Sequence, residues 1–212
     1  AVYDGYPDQK NGTGYELSGN EGALIYSEVG YRHNMAEGDT GLPGSYKFGA
    51  FYHTDEFYDV YDAIGGLFGF TKGTQDPHDG NYGAYFLAEQ MLTREQDKAD
   101  PAQQGLTGFF RLSGAPADRN LTEFGIDGGF IYKGLIPGRD WDTLALGASY
   151  LKMSDDIKRA QRAANRVLPG AFVVSDYEAV VELSYKLQVA AWWTLQPSLQ
   201  YALHPGGSSA ID

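Results

Sequence analysis

The sequence predicts an all-β protein, a transmembrane antiparallel β-barrel of which this chain carries about eight strands. Residues 176–204 alternate strictly between apolar and polar side chains. The composition includes 28 Gly, 16 Tyr and 42% hydrophobic residues. No stretch approaches the roughly 20 consecutive apolar residues that a membrane helix needs. Tyr and Trp recur near the ends of the apolar rows, as they do in the aromatic girdles of outer-membrane barrels.

The alternation in residues 176–204 covers two strand-length segments joined by a short turn. Such a pattern is typical of a strand with one apolar and one wet face. A soluble sandwich would bury the apolar face beneath a second sheet, whereas a membrane barrel turns it toward lipid. Because the aromatic residues favour the barrel, we expect the polar face to surround water.

Polar turns separate six further segments of comparable length. They are residues 22–33, 45–54, 83–93, 105–113, 121–133 and 141–153. With the pair already described, they give eight predicted strands. In the segment 83–93 the adjacent polar residues Glu89 and Gln90 cannot share a face, so we expect a β-bulge or the membrane boundary there.

The connections between strands fall into long and short classes. The long ones are 55–80 and 154–174, and the short ones are 34–44, 134–140 and 190–192. In outer-membrane barrels the long loops lie outside the cell and the short turns in the periplasm. Residues 154–165 predict a short helix, with Asp155 and Asp156 in its first turn. These two acids could also suggest a metal site, but a helix start is the favoured interpretation.

Several function classes are disfavoured by composition. The net charge of -12 argues against nucleic acid as a partner. The absence of cysteine excludes disulfides and thiolate metal sites. The four histidines are scattered and no zinc-protease or serine-hydrolase motif occurs, so we predict no enzyme activity and no cofactor.

Two long segments carry a resemblance to a known family. Residues 129–154 (GFIYKGLIPGRDWDTLALGASYLKMS) and 176–207 (DYEAVVELSYKLQVAAWWTLQPSLQYALHPGG) resemble the carbohydrate-selective porins of the OprB family. Residues 17–32 and 113–135 resemble the same family, in collinear order. The resemblance implies a barrel of about sixteen strands in the bacterial outer membrane. It also implies passive, facilitated diffusion of monosaccharides such as glucose, with carbohydrate substrates and membrane lipid as partners.

The resemblance also implies that residues 1–212 form a single but partial β-barrel porin domain. Members of the family are considerably longer, and they finish in a strand that ends with an aromatic residue. An open half-barrel would leave unpaired strand edges in lipid. We therefore expect the chain to correspond to about the C-terminal half and the natural gene product to extend beyond both ends. The sequence leaves a homotrimer and a monomer equally open.

The polar rows supply the residues that we expect to line the channel and bind substrate. They are Glu28, Arg32, Lys47, Arg111, Glu123, Asp127, Glu178, Glu182, Lys186, Gln196 and Gln200. Charged groups hydrogen-bond more strongly than neutral ones, which suits sugar hydroxyls. Any water-filled barrel also needs a polar wall, so each residue alone has that simpler explanation. Phe109 offers either an aromatic face for sugar stacking or a residue packed beneath a loop.

Two alternative functions remain at this stage. One is an outer-membrane barrel hydrolase, which would need a serine and a histidine on neighbouring outward positions. The other is a structural or adhesive barrel of eight strands, complete in itself.

Overall fold

The computed structural model describes residues 1–5, 22–36, 38–72, 77–95 and 104–208. They form one antiparallel sheet in which strands that follow one another in sequence also pair in space. The strands are β1 (Val2–Asp4), β2 (Ala23–His33), β3 (Gly44–Phe57), β4 (His78–Arg94), β5 (Gly105–Gly114), β6 (Thr122–Lys133), β7 (Thr143–Met153), β8 (Tyr177–Ala190), β9 (Trp193–Leu195) and β10 (Ser198–Leu203). The helices are α1 (Val60–Phe68) and α2 (Asp155–Val167), and a 3-10 turn spans Pro205–Gly207. The all-β prediction is confirmed.

The eight predicted strands are all present, and two differences change their number. The short edge strand β1 lies outside the eight predicted segments. The last predicted strand is divided into β9 and β10 because Pro197 has no N–H to donate to the ladder. The register is the same on both sides of this break, with Leu187 opposite Leu195 and Ser184 opposite Ser198. The proline therefore interrupts the hydrogen bonding without changing which side chains share a face.

The predicted alternation of faces is confirmed by the cross-strand register. Residues that are paired across an antiparallel ladder lie on the same side of the sheet, so the pairings sort the side chains into two faces. The polar face includes Glu28, Lys47, Tyr85, Arg111, Asp127, Ser149, Glu182 and Gln200. The apolar face includes Val29, Phe48, Phe86, Leu112, Ile126, Tyr150, Leu183 and Leu199.

Neither face of the sheet is covered by a second layer among the described residues. On the apolar face Val29 is 73% exposed and Leu199 is 72% exposed. The fully buried apolar side chains lie mainly in α2, at Ile157, Ala160 and Ala164. A sandwich or an α/β fold would instead place its core on the sheet. The small core here sits at one end of the strands.

The two ends of the sheet are built differently. The helical end carries the connections 58–77, 115–121 and 154–176, and the turn end carries 34–43, 134–142 and 191–192. At the helical end, the guanidinium of Arg159 lies 4.3 Å from the ring centroid of Tyr61, and the rings of Phe68 and Phe172 are 5.4 Å apart. The two connections expected to be long thus lie at the helical end and the three expected to be short at the turn end, whereas 115–121 is a short connection at the helical end. Neither described helix is long and apolar enough to cross a membrane.

The helix predicted at residues 154–165 is confirmed as α2. The hydroxyl of Ser154 accepts hydrogen bonds from the N–H groups of Asp156 and Ile157, which makes Ser154 the N-cap. Asp155 and Asp156 occupy the first turn, where negative charge is favourable. These two acids therefore act as a helix start.

Helix α1 lies within the long connection 55–80, where the sequence pattern predicts no helix. Asp59 accepts hydrogen bonds from the N–H groups of Tyr61 and Asp62, at 2.8 and 3.2 Å. Gly69 ends the helix with a left-handed φ of 74°. An aspartate and a glycine at this spacing are the local signal that could have predicted the helix.

The irregularity expected in β4 is confirmed as a register shift between Met91 and Thr93 in the pairing with β5. It follows Gln90 by one residue. Glu89 therefore lies on the polar face while Gln90 lies on the apolar side, where its Oε1 accepts a hydrogen bond from the Tyr46 hydroxyl at 2.6 Å.

A buried carboxylate holds the turn end together. Asp142 is only 3% exposed, and it accepts hydrogen bonds from Arg139 Nε at 2.7 Å, from the Tyr185 hydroxyl at 2.6 Å and from the Gln188 N–H at 2.8 Å. Burial acts to raise the pKa of Asp142, but the hydrogen bonds from Arg139, Tyr185 and Gln188 outweigh it and hold the pKa below its ordinary value. The network ties the β6–β7 turn to β8.

We expect Asp142→Asn to destabilise the folded protein by about 1–3 kcal/mol, because buried partners lose their acceptor. The measurement is the urea unfolding midpoint of the full-length protein, with Asp140→Asn in the same turn as control. A carboxylate with a lowered folded-state pKa stabilises the fold above its unfolded-state pKa and loses that effect as the pH falls through the folded value. The urea unfolding midpoints of wild type and Asp142→Asn should therefore converge at strongly acidic pH. Equal midpoints for the two variants at pH 7 would contradict the network.

Candidate functional site

The polar face carries a connected group of charged side chains on β2, β3 and β4. Lys47 Nζ lies 3.1 Å from Glu28 Oε1, and the Tyr85 hydroxyl donates a hydrogen bond to Glu28 Oε2 at 2.8 Å. Gly49 lies between Glu28 and Tyr85 in the register. Because glycine has no side chain, the tyrosine can reach across β3 to the glutamate.

A second ion pair lies two strands away, between β5 and β6. Arg111 and Asp127 are direct cross-strand partners, and Arg111 Nε is 2.6 Å from Asp127 Oδ2. The Arg111 side chain is 57% exposed, so its remaining N–H groups can still donate to a ligand. The pair presents donors and acceptors side by side on the wall.

The polar face continues onto β8 and β10. Gln200 and Glu182 are cross-strand partners, and Gln200 Nε2 donates to Glu182 Oε2 at 2.7 Å. Glu178 lies on the same face near the helical end, where it accepts a hydrogen bond from the Gly206 N–H. These predicted residues therefore lie on one surface with the two ion pairs.

Two predicted cations on this face have no ion pair within the described ranges. Arg32, opposite Ser45, and Lys186, opposite Thr143, are both exposed. Gln196 falls in the break between β9 and β10, and the unchanged register places it opposite Lys186. Both cations are available to solutes at the turn-end half of the polar face.

Glu123 departs from the sequence expectation. It sits at the register shift between Thr122 and Phe124, not in the regular polar row. Its carboxylate pairs with Lys152 and accepts a hydrogen bond from the Asp155 N–H at 3.1 Å. The bulge turns this side chain toward the start of α2, where it has a structural role.

Glu89 was missed as a candidate and belongs with the group. It is exposed on the polar face, opposite Ser45 on one side and Phe109 on the other. The alternation set by Tyr85 and Leu87 assigns Glu89 to this face, and that signal was obscured by the polar neighbour Gln90.

Among the described residues, Phe109 lies against the wall of the sheet, close to two glycines of the next strands. A Cβ built on Gly129 would be 2.9 Å from Phe109 Cε1, and one built on Gly147 would be 3.4 Å from Phe109 Cζ. Phe109 borders two concavities of the polar face, of about 580 Å³ and about 330 Å³. Both volumes are within the range of small-molecule sites.

The polar face offers hydrogen-bond donors and acceptors, and its charged side chains are of both signs. Lysine, arginine, aspartate and glutamate alternate over short distances, with aromatic rings between them. The described residues contain no cluster of histidine and acidic side chains suited to holding a metal ion. Such a surface can bind neutral polar solutes weakly at several places.

A sheet with an uncovered apolar face on one side and a charged, hydrogen-bonding face on the other is the wall of a membrane β-barrel channel. The family comparison agrees with this class. The chain belongs to the carbohydrate-selective porins of the OprB family, whose family model matches residues 1–212.

Individual relatives give the same assignment. The chain is 30% identical to Porin B of Pseudomonas aeruginosa over 213 residues, which cover 96% of this chain and 46% of that protein. A structure of Pseudomonas putida OprB at high pH superposes with a TM-score of 0.81 at 27% identity, covering 95% of this chain and 48% of the other. The chain thus spans about half the length of these relatives, and the sheet is part of a barrel wall, as predicted.

The two glycines beneath the Phe109 ring differ in how much space a Cβ atom would have. Alanine at Gly129 would place its Cβ against the carbonyl oxygen of Leu146, which is backbone and cannot turn away. We therefore expect Gly129→Ala to destabilise the barrel by about 1–3 kcal/mol. Gly147→Ala is the matched control, because the atom nearest to its new Cβ would be Phe109 Cζ at 3.4 Å, which is ordinary van der Waals contact.

The measurement is the folded fraction of each full-length variant in urea, scored by heat-modifiable gel mobility. Equal stability of the two alanine variants would contradict the close approach of β6 and β7 at Gly129.

Proposed function

We propose that the full-length protein is a bacterial outer-membrane porin through which neutral carbohydrates, including monosaccharides such as glucose, diffuse passively. The chain described here would form a single partial barrel domain of that porin. The observation that carries the proposal is the line of charged and amide side chains on the polar face, opposite an uncovered apolar face. Membership of the carbohydrate-selective family supports the same function.

The charge pattern of the polar face suits neutral solutes. Lys47 is balanced by Glu28, and Arg111 by Asp127. Adjacent opposite charges offer strong donors and acceptors to hydroxyl groups without a large net field for ions. Because each contact is weak and exchangeable with water, a solute can enter and leave.

The proposed function involves no covalent chemistry. A barrel hydrolase would need a histidine poised beside a nucleophile, whereas His33 is stacked between Tyr31 and Tyr46, with ring centroids 5.8 and 5.9 Å away. A self-contained adhesive barrel is disfavoured because the related porins are about twice as long as this chain.

Liposome swelling tests the proposal directly. Vesicles that contain the full-length protein should swell faster in glucose than in a neutral amino acid of similar size, because sugar hydroxyls match the wall's donors and acceptors. Protein-free vesicles provide the baseline. Equal rates for the two solutes would reduce the protein to a general diffusion pore, and no swelling in either would exclude a porin.

The assignment of the two faces is tested on neighbouring residues of β8. Leu183 lies on the apolar face and is 44% exposed, so an arginine there should cost about 2–4 kcal/mol in a bilayer and impair folding. Glu182→Arg places the same side chain on the polar face, where water can solvate it. We expect this variant to fold and to change ion selectivity by reversing a wall charge.

Heat-modifiable mobility reports folding, and planar-bilayer recording reports selectivity. A one-residue shift in register would exchange the two outcomes. A folded Leu183→Arg protein with altered selectivity, together with an unfolded Glu182→Arg protein, would reverse the assignment of water and lipid.

A further inference from the structure

One row of the polar face has an unusual order of side chains. Across β4, β5, β6, β7 and β8, consecutive cross-strand partners are Glu89, Phe109, Gly129, Gly147 and Glu182. An aromatic ring and two positions without side chains are therefore flanked by two carboxylates at the same level of the wall.

The Phe109 side chain lies along this row. Its Cε1 approaches Gly129 on the next strand, and its Cζ approaches Gly147 two strands away. A ring that stood upright from β5 could not reach both positions, because adjacent strands are about 4.8 Å apart. The ring therefore rests over the glycine backbone and forms a ledge on the wall.

Both carboxylates can accept hydrogen bonds from a ligand. Glu89 has no ion pair or hydrogen bond within the described ranges, and Glu182 has one oxygen, Oε2, engaged by Gln200. Glu89 and Phe109 line the larger concavity, while Phe109 and Glu182 line the smaller one. The ledge thus joins two recesses, each with a carboxylate on its border.

We propose that this row is a binding subsite for one neutral pyranose, an inference that rests on the proposed function and names its ligand contacts. The apolar C–H face of the sugar stacks on Phe109. Because the two carboxylates lie four strand spacings apart, roughly 19 Å, hydroxyl groups of the sugar donate to Glu89 at one end of the row and to Glu182 at the other as the sugar moves along it. Ring and carboxylates together fix the orientation, as aromatic surfaces and a few polar groups do in small-molecule sites.

The same arrangement disfavours anionic sugars. A hexuronate carboxylate held on Phe109 would lie between Glu89 and Glu182, and like charges repel. The nearby Arg111 does not compensate fully because Asp127 already lies 2.6 Å from its Nε. The subsite should therefore distinguish glucose from glucuronate.

The test is the block of single-channel current by added glucose in the full-length porin. Phe109→Leu removes the stacking surface, and we expect it to raise the half-blocking glucose concentration by about five- to tenfold. Phe51→Leu is the matched control, because Phe51 lies on the same face and also rests against a glycine, Gly83, but neither of its direct cross-strand partners, Tyr26 and Gly83, carries a carboxylate. It should leave the glucose block unchanged.

The carboxylates are tested with side chains of the same size. We expect Glu89→Gln and Glu182→Gln each to weaken glucose block by about fivefold. The double variant should admit glucuronate that wild type excludes. These substitutions preserve shape, so they remain informative if Phe109→Leu fails to fold.

The outcomes separate this subsite from the function itself. If wild type passes glucose, and glucose blocks the current of the Phe109, Glu89 and Glu182 variants at the same concentration as in wild type, the subsite is refuted and the porin function stands. If wild type shows no preference for sugar in the swelling assay, the proposed function fails first. An equal loss in Phe51→Leu and Phe109→Leu would show a general effect of aromatic loss and refute the specific ledge.

Discussion

The cross-strand register is the constraint on which the rest of the structure depends. No second layer covers the described sheet, so backbone hydrogen bonds between neighbouring strands hold it together, and the lipid can satisfy none of them. The same register decides which side chains meet. It makes Arg111 the direct partner of Asp127 and Glu182 the partner of Gln200. A slip of one residue would turn every charged side chain of a strand toward lipid.

Polar contacts serve different purposes at the ends and in the middle of the strands. At the ends they are buried and structural, as with Asp142 in the turn and Ser154 at the start of α2. In the middle they are exposed, and exposed ion pairs stabilise a fold only slightly. Stability therefore does not explain the charges of the Arg111 and Asp127 pair. Contact with water and solutes explains them better.

The sequence predicted the features that repeat and missed those that occur once. Alternation predicted both faces because every second residue is constrained over whole strands. Glu123, expected in the regular polar row, lies at a register shift that alternation could not predict, because bulges have weak local signals. Alternation overlooked Glu89 since one outward polar neighbour, Gln90, hid the pattern. The approach of Phe109 to Gly147, two strands away, depends on register and could not be predicted from either segment alone.

The two glycines beneath Phe109, Gly129 and Gly147, lower the stability of their strands. A glycine within a strand is destabilising by roughly 0.5–1 kcal/mol relative to alanine, since it loses more conformational freedom on folding. At Gly129 any Cβ would also strike the backbone of β7, so packing between strands already requires glycine there. At Gly147 the nearest neighbour is the Phe109 ring, 3.4 Å from a built Cβ, so only a side chain larger than alanine would displace the ring. Glycines on two adjacent strands thus allow the Phe109 ring to lie over the backbone of β6 and β7, and this arrangement forms the ledge on the polar face.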